Sequence, residues 1–273
     1  MKKQSRRLFG SMVVVVAVIF SIFIYKVDNS KAQNSANDIP RTEDGTPNLS
    51  GVWQAFTTAA VDLEDHNARK GQPGGQSVVV GNEIPYQPWA LEKKAENFKN
   101  RETEDPLGKC YMPGVPRVTY LPYPFEIVQA EELTVIMYEY SHVFRWIWTN
   151  GREFPPALDF WMGESRGHWE GDTLVVEVRN HNDSTWFDHA GNFHSKELRV
   201  VERYTPIGPN HIDYEATIED SEVFTEPWKI KFPLYRRLEE NVRVLDYECL
   251  EFETPFLPWD ELPSPDLPSP PDR

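Results

Sequence analysis

The chain has 273 residues, of which 40% are hydrophobic, and it carries a formal net charge of −15 at pH 7. A surface this acidic repels phosphate backbones and anionic lipid headgroups. The charge therefore argues against nucleic acid as a partner and leaves the membrane as a partner only through an N-terminal anchor. The length suits a single domain with one large core.

Residues 1–32 have the pattern of an export signal. Basic residues up to Arg7 precede an apolar run from Leu8 to Tyr25, and Ala32 supplies a small residue before a cleavage position at Gln33. A run of this length can also span a bilayer, so the segment is either a cleaved signal peptide or an uncleaved signal anchor. Residues 5–9 fit the twin-arginine pattern, and the export route stays open. The sequence predicts a periplasmic or otherwise extracytoplasmic protein, secreted or membrane-anchored.

Polar and proline-rich segments flank the predicted domain. Residues 33–48 are polar and are predicted to be a linker, and the domain itself is assigned to residues 49–253. Seven of residues 254–273 are proline, which predicts an extended or disordered tail because proline cannot join the hydrogen bonding of sheets or helix interiors.

Most of the domain has the two-residue periodicity of β-strands. Nine apolar and aromatic runs are predicted as strands: Leu49–Phe56, Phe125–Gln129, Leu133–Tyr140, Val143–Thr149, Thr173–Val178, Leu198–Tyr204, Ile212–Ile218, Trp228–Leu234 and Val244–Phe252. Short strands at close spacing are typical of a barrel or a sandwich. We expect an all-β fold, a closed antiparallel β-barrel that leaves no exposed sheet edge.

One helix and two hairpins complete the predicted domain. The helix runs from Trp89 to Lys99, with Pro88 at its start, and packs on the barrel as a plug or lid, through a face that carries Leu91, Ala95 and Phe98. Glu170-Gly171-Asp172 and Asn150-Gly151 predict tight turns between antiparallel strands. Residues 163–167 are predicted to be a connection made flexible by its two glycines.

The chain has two cysteines, Cys110 and Cys249. In an oxidising compartment two distant thiols are expected to bond to each other, so we predict a disulfide; the alternative is two buried free thiols. Neither cysteine lies in a Cys-x-x-Cys or Cys/His cluster, and no metal site is predicted on them.

Several sequence blocks resemble those of a large family of uncharacterised exported bacterial proteins, over about residues 48 to 252. The blocks are Leu49-Ser50-Gly51-Val52-Trp53, Asp105-Pro106-Leu107-Gly108-Lys109-Cys110, Pro113-Gly114-Val115-Pro116-Arg117, His142-Val143-Phe144-Arg145, Trp169-Glu170-Gly171-Asp172-Thr173-Leu174 and Asn182-Asp183-Ser184-Thr185-Trp186. This resemblance implies export but transfers no catalytic residue. The opening Gly-x-Trp strand is also similar to that of lipocalin-type barrels, which implies a lipocalin-like barrel that carries a small apolar ligand.

The catalytic hypothesis rests on Glu202, in a predicted strand, and on His142, directly before another. Glu202 shares the more apolar face of its strand, where a carboxylate needs a raised pKa or a cationic partner. His142 is assigned to the face of the rings at 144, 146 and 148, and we take that face to point inward. His142 and Glu202 would exchange a proton in one pocket, with Arg145 binding an anion or a carbonyl. The alternative is structural, a buried His bonded to the backbone and a Glu paired with an Arg.

Residues 181–195 hold the densest polar cluster and are predicted to border the barrel mouth. The predicted ligand-binding residues are Trp146, Trp148, Asp183, Trp186, His189 and His194. The spacing of the histidines and carboxylates matches no known metal motif, so neither a metal nor a cofactor is predicted.

Three functions remain open from the sequence. The first is binding of a small, largely apolar or aromatic molecule in the barrel mouth. The second is a lyase, isomerase or hydrolase that acts in the same pocket. The third is a structural or adaptor protein of the cell envelope that holds a partner through the proline-rich tail or a sheet edge.

Overall fold

A computed structural model of the protein describes residues 39–249 apart from Lys70 and Ala157. The predicted export signal, the first part of the predicted linker and the proline-rich tail lie outside the described residues. Within the described part, no helix has the length and apolar character needed to cross a membrane.

The described chain consists mainly of strands. They are β1 (Gly51–Ala55), β2 (Phe125–Gln129), β3 (Leu133–Tyr138), β4 (Phe144–Trp148), β5 (Glu164–Glu170), β6 (Thr173–Arg179), β7 (Arg199–Gly208), β8 (His211–Glu219) and β9 (Trp228–Arg236). The α-helix α1 spans Pro88–Glu104, and two 3-10 helices span Pro106–Lys109 and Arg117–Tyr120.

The nine strands close into a barrel in sequence order, with β9 paired to β1. This arrangement confirms the predicted closed all-β barrel. Neighbouring strands are antiparallel except β4 and β5, which are parallel through Ile147↔Ser165 and Trp148↔Arg166. An odd number of strands cannot alternate in direction all the way round a closed barrel, so at least one pair must be parallel. The connection 149–163 is long enough for the crossover that a parallel pair needs.

Strand β5 is the ninth strand, in place of the predicted strand Val244–Phe252. In residues 244–249 Tyr247 makes an isolated bridge to Tyr140, and residues 250–252 lie outside the described part. Gly167 lies within β5, where a Cβ would stand 2.8 Å from Cγ2 of Ile147. Its role is close packing against β4 and not a flexible connection.

One predicted hairpin is confirmed and the other is wrong. Glu170 pairs with Thr173 across the turn, and Gly171 takes a φ of +59°. After Asn150-Gly151 the chain does not turn back on β4, because it crosses over to the parallel strand β5.

The inward side chains of the strands fill the barrel. Large side chains among them include Trp53, Phe125, Tyr204 and Tyr214, and each of these is at most 1% exposed. Burial of one large apolar side chain stabilises a fold by about 1.5–3 kcal/mol, so this interior is the main source of stability.

Helix α1 begins at Pro88, as predicted, and continues to Glu104. Its buried residues are Ala90 and Asn97, whereas Leu91 is exposed, so the predicted packing face is wrong. The helix packs on residues 181–195, where Asn97 Nδ2 donates a 3.2 Å hydrogen bond to the carbonyl of Gly191. A Cβ at Gly191, whose φ is +84°, would stand 2.7 Å from the Cβ of Asn97, so this contact requires glycine.

The two ends of the barrel differ. The capped end, where β9 begins, is covered by α1 and by buried residues such as Leu63 and Phe187. The open mouth is the other end, where β2 finishes and β3 begins. Arg41 donates two 2.8 Å hydrogen bonds to the carboxylate of Asp172, so residues 41–47 of the predicted linker lie against the β5–β6 turn at this mouth.

Cys110 and Cys249 form the predicted disulfide, with their Cα atoms 5.4 Å apart. The bond joins the end of the first 3-10 helix to the segment that follows β9. It closes a loop across a sequence separation of 139 residues, which strongly restricts the unfolded chain.

Candidate functional site

A buried ion pair lies inside the barrel. Arg145 from β4 is 3% exposed and Glu202 from β7 is fully buried. The Nη1 and Nη2 atoms of Arg145 donate to Oε1 and Oε2 of Glu202 at 3.2 and 2.5 Å. Burial disfavours the charge on Arg145, but the facing carboxylate outweighs it and holds the pKa of Arg145 well above its ordinary value. Glu202 thus has the cationic partner that its inward position requires.

Neighbouring hydroxyl groups complete this network. Tyr204 and Tyr214 donate hydrogen bonds of 2.9 and 2.8 Å to Oε1 of Glu202, and Nη2 of Arg145 donates to Ser165 Oγ at 3.1 Å. Burial raises the pKa of both tyrosines well above the ordinary value, so both phenols stay protonated and donate. The carboxylate is therefore charge-paired and hydrogen-bonded, as a structural ion pair must be.

His142 does not reach this network. Its side chain is 45% exposed, and its Nε2 lies 2.9 Å from Oε1 of Glu248. Along β4 the inward residues are Arg145 and Ile147, while Phe144 and Trp146 point outward, so the predicted assignment of the two faces is reversed. The predicted His142/Glu202 pocket is therefore absent, and Arg145 pairs with Glu202 directly.

The capped end contains a second charged cluster. Arg117 donates to both oxygens of Asp105 at 2.7 and 2.8 Å, and His189 Nδ1 lies 2.9 Å from Oδ2. Burial would raise the pKa of Asp105, but the Arg117 guanidinium lowers it well below the ordinary range. His189 lines a cavity of about 10 Å³, which has room for little more than a water molecule. This cluster orients an imidazole but leaves no space for a substrate.

Asp188 is buried at the same end, and no salt bridge joins it to a Lys, Arg or His among the residues that the structure describes. Its carboxylate accepts hydrogen bonds from the backbone amides of Leu63 and Asn192, at 2.9 and 3.0 Å, and from Asn192 Nδ2 at 2.5 Å. Burial raises the pKa of Asp188 to about 7, and the charge of Asp62 adds to the shift. Asp188 thus ties residues 59–63 to residues 181–195.

Two histidines of this segment, His181 and His194, are buried, and His194 is hydrogen-bonded through both ring nitrogens. His194 Nδ1 lies 2.8 Å from the carbonyl of Ser195 and therefore donates to it, which leaves Nε2 to accept from Thr185 Oγ1 at 2.7 Å. Burial lowers the pKa of His194 and lowers that of His181 further, so both rings are neutral at pH 7. His194, a predicted ligand residue, is inside the cap and away from solvent.

The open mouth contains a cavity of about 670 Å³. Its wall is formed by residues 42–46 and by the ends of β2 to β5: Thr42, Glu43, Asp44, Thr46, Gln129, Ala130, Glu131, Thr134, Thr149 and Trp169. Trp169 packs against the core, and Thr134 is buried, so the cavity reaches the top of the packed interior. An aromatic ring and several oxygen acceptors therefore meet at one end of the barrel.

Two of the predicted ligand residues lie together elsewhere. Asp183 and Trp186 line a cavity of about 610 Å³ between α1 and residues 181–195, together with Phe193. The helix and this segment border that cavity, which is outside the barrel, and neither of them lines the cavity at the open mouth, so the prediction that they border the mouth is wrong. Trp146 and Trp148 are on the outer wall and line neither cavity.

None of the predicted catalytic or ligand-binding residues lines the mouth cavity. Among the residues that line this cavity, Trp169 has a position that a sequence pattern predicts, because it stands at the end of a strand directly before the confirmed Glu170-Gly171-Asp172 turn. The acidic residues Glu43 and Glu131 belong to predicted linker or turn segments, where charge is common. Within the described part, no group of three or more His, Cys, Asp or Glu side chains is arranged to hold a metal ion.

No protein-family model, curated protein or solved structure matches this chain. The resemblance to exported bacterial proteins therefore stays a prediction, and the function has to be argued from the geometry.

Proposed function

We propose that this β-barrel protein binds a small molecule at its open mouth. The observation that carries the proposal is the cavity of about 670 Å³, whose size falls in the range of about 300–1,000 Å³ typical of ligand sites. The interior below it is packed with side chains, so the ligand sits at the mouth and not in the middle of the barrel.

The charges of the wall favour a ligand with a cationic or hydrogen-bond-donating group. Glu43, Asp44 and Glu131 line the cavity, and none of its lining residues is Lys or Arg. The hydroxyls of Thr42 and Thr46 lower the pKa of Asp44, which keeps that carboxylate charged at neutral pH.

The apolar part of the ligand would stack on Trp169, because the face of an indole ring attracts both flat apolar groups and cations. The sequence predicts a largely apolar or aromatic ligand. The acidic wall and the indole ring together favour an amphipathic ligand, with an aromatic part and a cationic or donor group.

The test is a comparison of three ligands of the same shape. An aromatic amine, its neutral amide and its carboxylate analogue are titrated against the protein by native mass spectrometry and thermal shift. We expect the amine to bind most tightly and Glu131→Gln to weaken it by roughly 1.5- to 5-fold, as for one exposed charge worth about 0.2–1 kcal/mol.

The matched control is Glu96→Gln, an exposed carboxylate that lines the cavity beside α1. It should leave amine binding unchanged. Equal binding of the three analogues, or an equal loss in both variants, would contradict binding at the mouth.

We also propose that the protein works outside the cytoplasm. The basic and apolar pattern of residues 1–32 and the Cys110–Cys249 disulfide support export. Cell fractionation followed by intact mass measurement tests this: a mature chain starting at Gln33 in the periplasm indicates cleavage, whereas a full-length chain in the membrane fraction indicates an anchor. A reduced chain in the cytoplasm would contradict export.

No comparable observation favours the acid-base enzyme. His142 lies on the outer surface of the barrel, and the side chains of Arg145 and Glu202 are buried in the core.

A further inference from the structure

Three aromatic rings lie in a row on the outer face of β4, and two of them are exposed while the third is half-buried. Phe144 is 56% exposed and Trp146 is 47% exposed, and Trp148 follows on the same face. The rings of Phe144 and Trp146 are 5.9 Å apart and those of Trp146 and Trp148 are 6.3 Å apart, with the guanidinium of Arg152 3.8 Å from the Trp148 ring. We call Phe144, Trp146 and Trp148 the aromatic stripe.

The aromatic stripe is part of a larger apolar surface. Met137 pairs with Phe144 across β3 and β4 and is itself exposed, and Val128 on β2 is 42% exposed. On soluble proteins a contiguous exposed apolar patch of this kind often marks a binding surface.

The described chain ends beside the aromatic stripe. Tyr247 bridges Tyr140, Glu248 pairs with His142, and Cys249 is bonded to Cys110. His142 lies two positions before Phe144, the first residue of the stripe. Residues 250–273 therefore start at one end of the stripe, held there by an ion pair and a disulfide.

The sequence of this segment suits an aromatic surface. Pro265, Pro268 and Pro271 recur at every third position. A polyproline II helix has three residues per turn, so these prolines would form one ridge, and such ridges bind grooves lined by aromatic rings. At about 3.1 Å per residue, residues 254–273 extend about 60 Å, against about 15 Å for the five residues of β4.

We propose that residues 254–273 dock on the aromatic stripe of their own chain. Prolines of the ridge pack between the rings, and Asp266, which lies between two of them, faces the positive charge of Arg152. Because the tail is tethered, its effective concentration at the stripe is on the order of 1 mM, so an intrinsic Kd below about 1 mM keeps the stripe mostly covered.

The test uses the full-length chain labelled with 5-fluorotryptophan and observed by fluorine NMR. Trp146→Phe and Trp148→Phe assign the two stripe resonances. We expect deletion of residues 254–273 to shift both of them while the resonance of the buried Trp53 stays in place, which also reports that the barrel is folded. A peptide of residues 254–273 added to the deleted chain should restore the shifts with a Kd at or below about 1 mM.

A matched pair of full-length variants removes any dependence on the deletion. Pro265→Ala with Pro268→Ala breaks the ridge and should shift the stripe resonances as the deletion does. These prolines belong to two repeats, Leu262-Pro263-Ser264-Pro265 and Leu267-Pro268-Ser269-Pro270. Pro263→Ala with Pro270→Ala changes the same two repeats at positions off the ridge and should leave the stripe resonances in place.

Two results would overturn the proposal. One is identical Trp146 and Trp148 resonances with and without the tail. The other is a change in the Trp146 and Trp148 resonances with protein concentration that is the same in the full-length and the deleted chain. That result would mean that a second copy of the protein covers the stripe.

Discussion

Carboxylates are buried at the capped end of the barrel and exposed at its open mouth. At the capped end Asp105 and Asp188 are buried and are held by an arginine or by backbone and amide donors. At the mouth Glu43 and Glu131 are exposed and face a cavity. Buried charges need dedicated partners and therefore serve the fold, whereas exposed charges beside a cavity remain available to a ligand.

The largest expected effect comes from the Arg145–Glu202 pair between the two ends. Arg145→Met should destabilise the protein by about 3–5 kcal/mol, because it leaves a buried carboxylate without its cation. Adding Glu202→Gln removes that charge and keeps an acceptor for Tyr204 and Tyr214, so the double variant should be more stable than Arg145→Met. Urea unfolding measures both, and equal stability of the two variants would mean that the ion pair is not the cause.

The second-largest effect on stability is expected from the disulfide. Replacing Cys110 and Cys249 by Ser should lower the free energy of unfolding by about 2–5 kcal/mol, since the bond restricts a long loop of the unfolded chain. Reducing agent should lower the stability of the native chain by a similar amount and leave the double variant unchanged. A reductant effect on the variant would point to a cause other than this bond.

The pH dependence of the capped end tests Asp188. Burial raises the pKa of Asp188 to about 7, whereas the carboxyl titrates near 3.9 in an unfolded chain. The folded state therefore holds a proton that the unfolded state has lost between about pH 4 and 7, and stability falls as pH rises through this window. From pH 5 to pH 7 the loss is about 2 kcal/mol.

Asp188→Asn should remove this slope even if it lowers stability overall. His181 and His194, whose pKa values are lowered, oppose the slope but are present in both proteins, so the difference between the two curves isolates Asp188. Parallel curves from pH 5 to pH 7 would contradict the buried, protonated carboxyl.

The smallest effect is expected at the mouth. Glu43→Gln and Glu131→Gln should each change the free energy of unfolding by less than about 0.5 kcal/mol, because both side chains face solvent. Asp105→Asn is the buried counterpart and should cost several times more. A large loss from a mouth variant would show that these carboxylates support the fold.

Local signals in the sequence predict the parts of the fold that local chemistry decides. The turn at Gly171, the start of α1 at Pro88 and most strand positions fall in this class. The faces of β4 do not, because Val143, Arg145 and Ile147 on one side are as compatible with a core as the rings on the other.

The candidate site was less predictable than the fold. The mouth combines residues 42–46 with the ends of four strands, and no spacing in the sequence brings Glu43 near Trp169. At the capped end, Asp105 contacts His189 across a separation of 84 residues.

The sequence alone determined that this chain forms short alternating strands, turns tightly after Glu170 and has two cysteines suited to pair, because propensity, turn geometry and thiol chemistry are properties of neighbouring residues or of composition. Tertiary structure decided which side of β4 faces inward. Arg145 turns in because Glu202, from a distant strand, supplies the charge that makes its burial tolerable. The same choice leaves the aromatic rings of β4 on the outside.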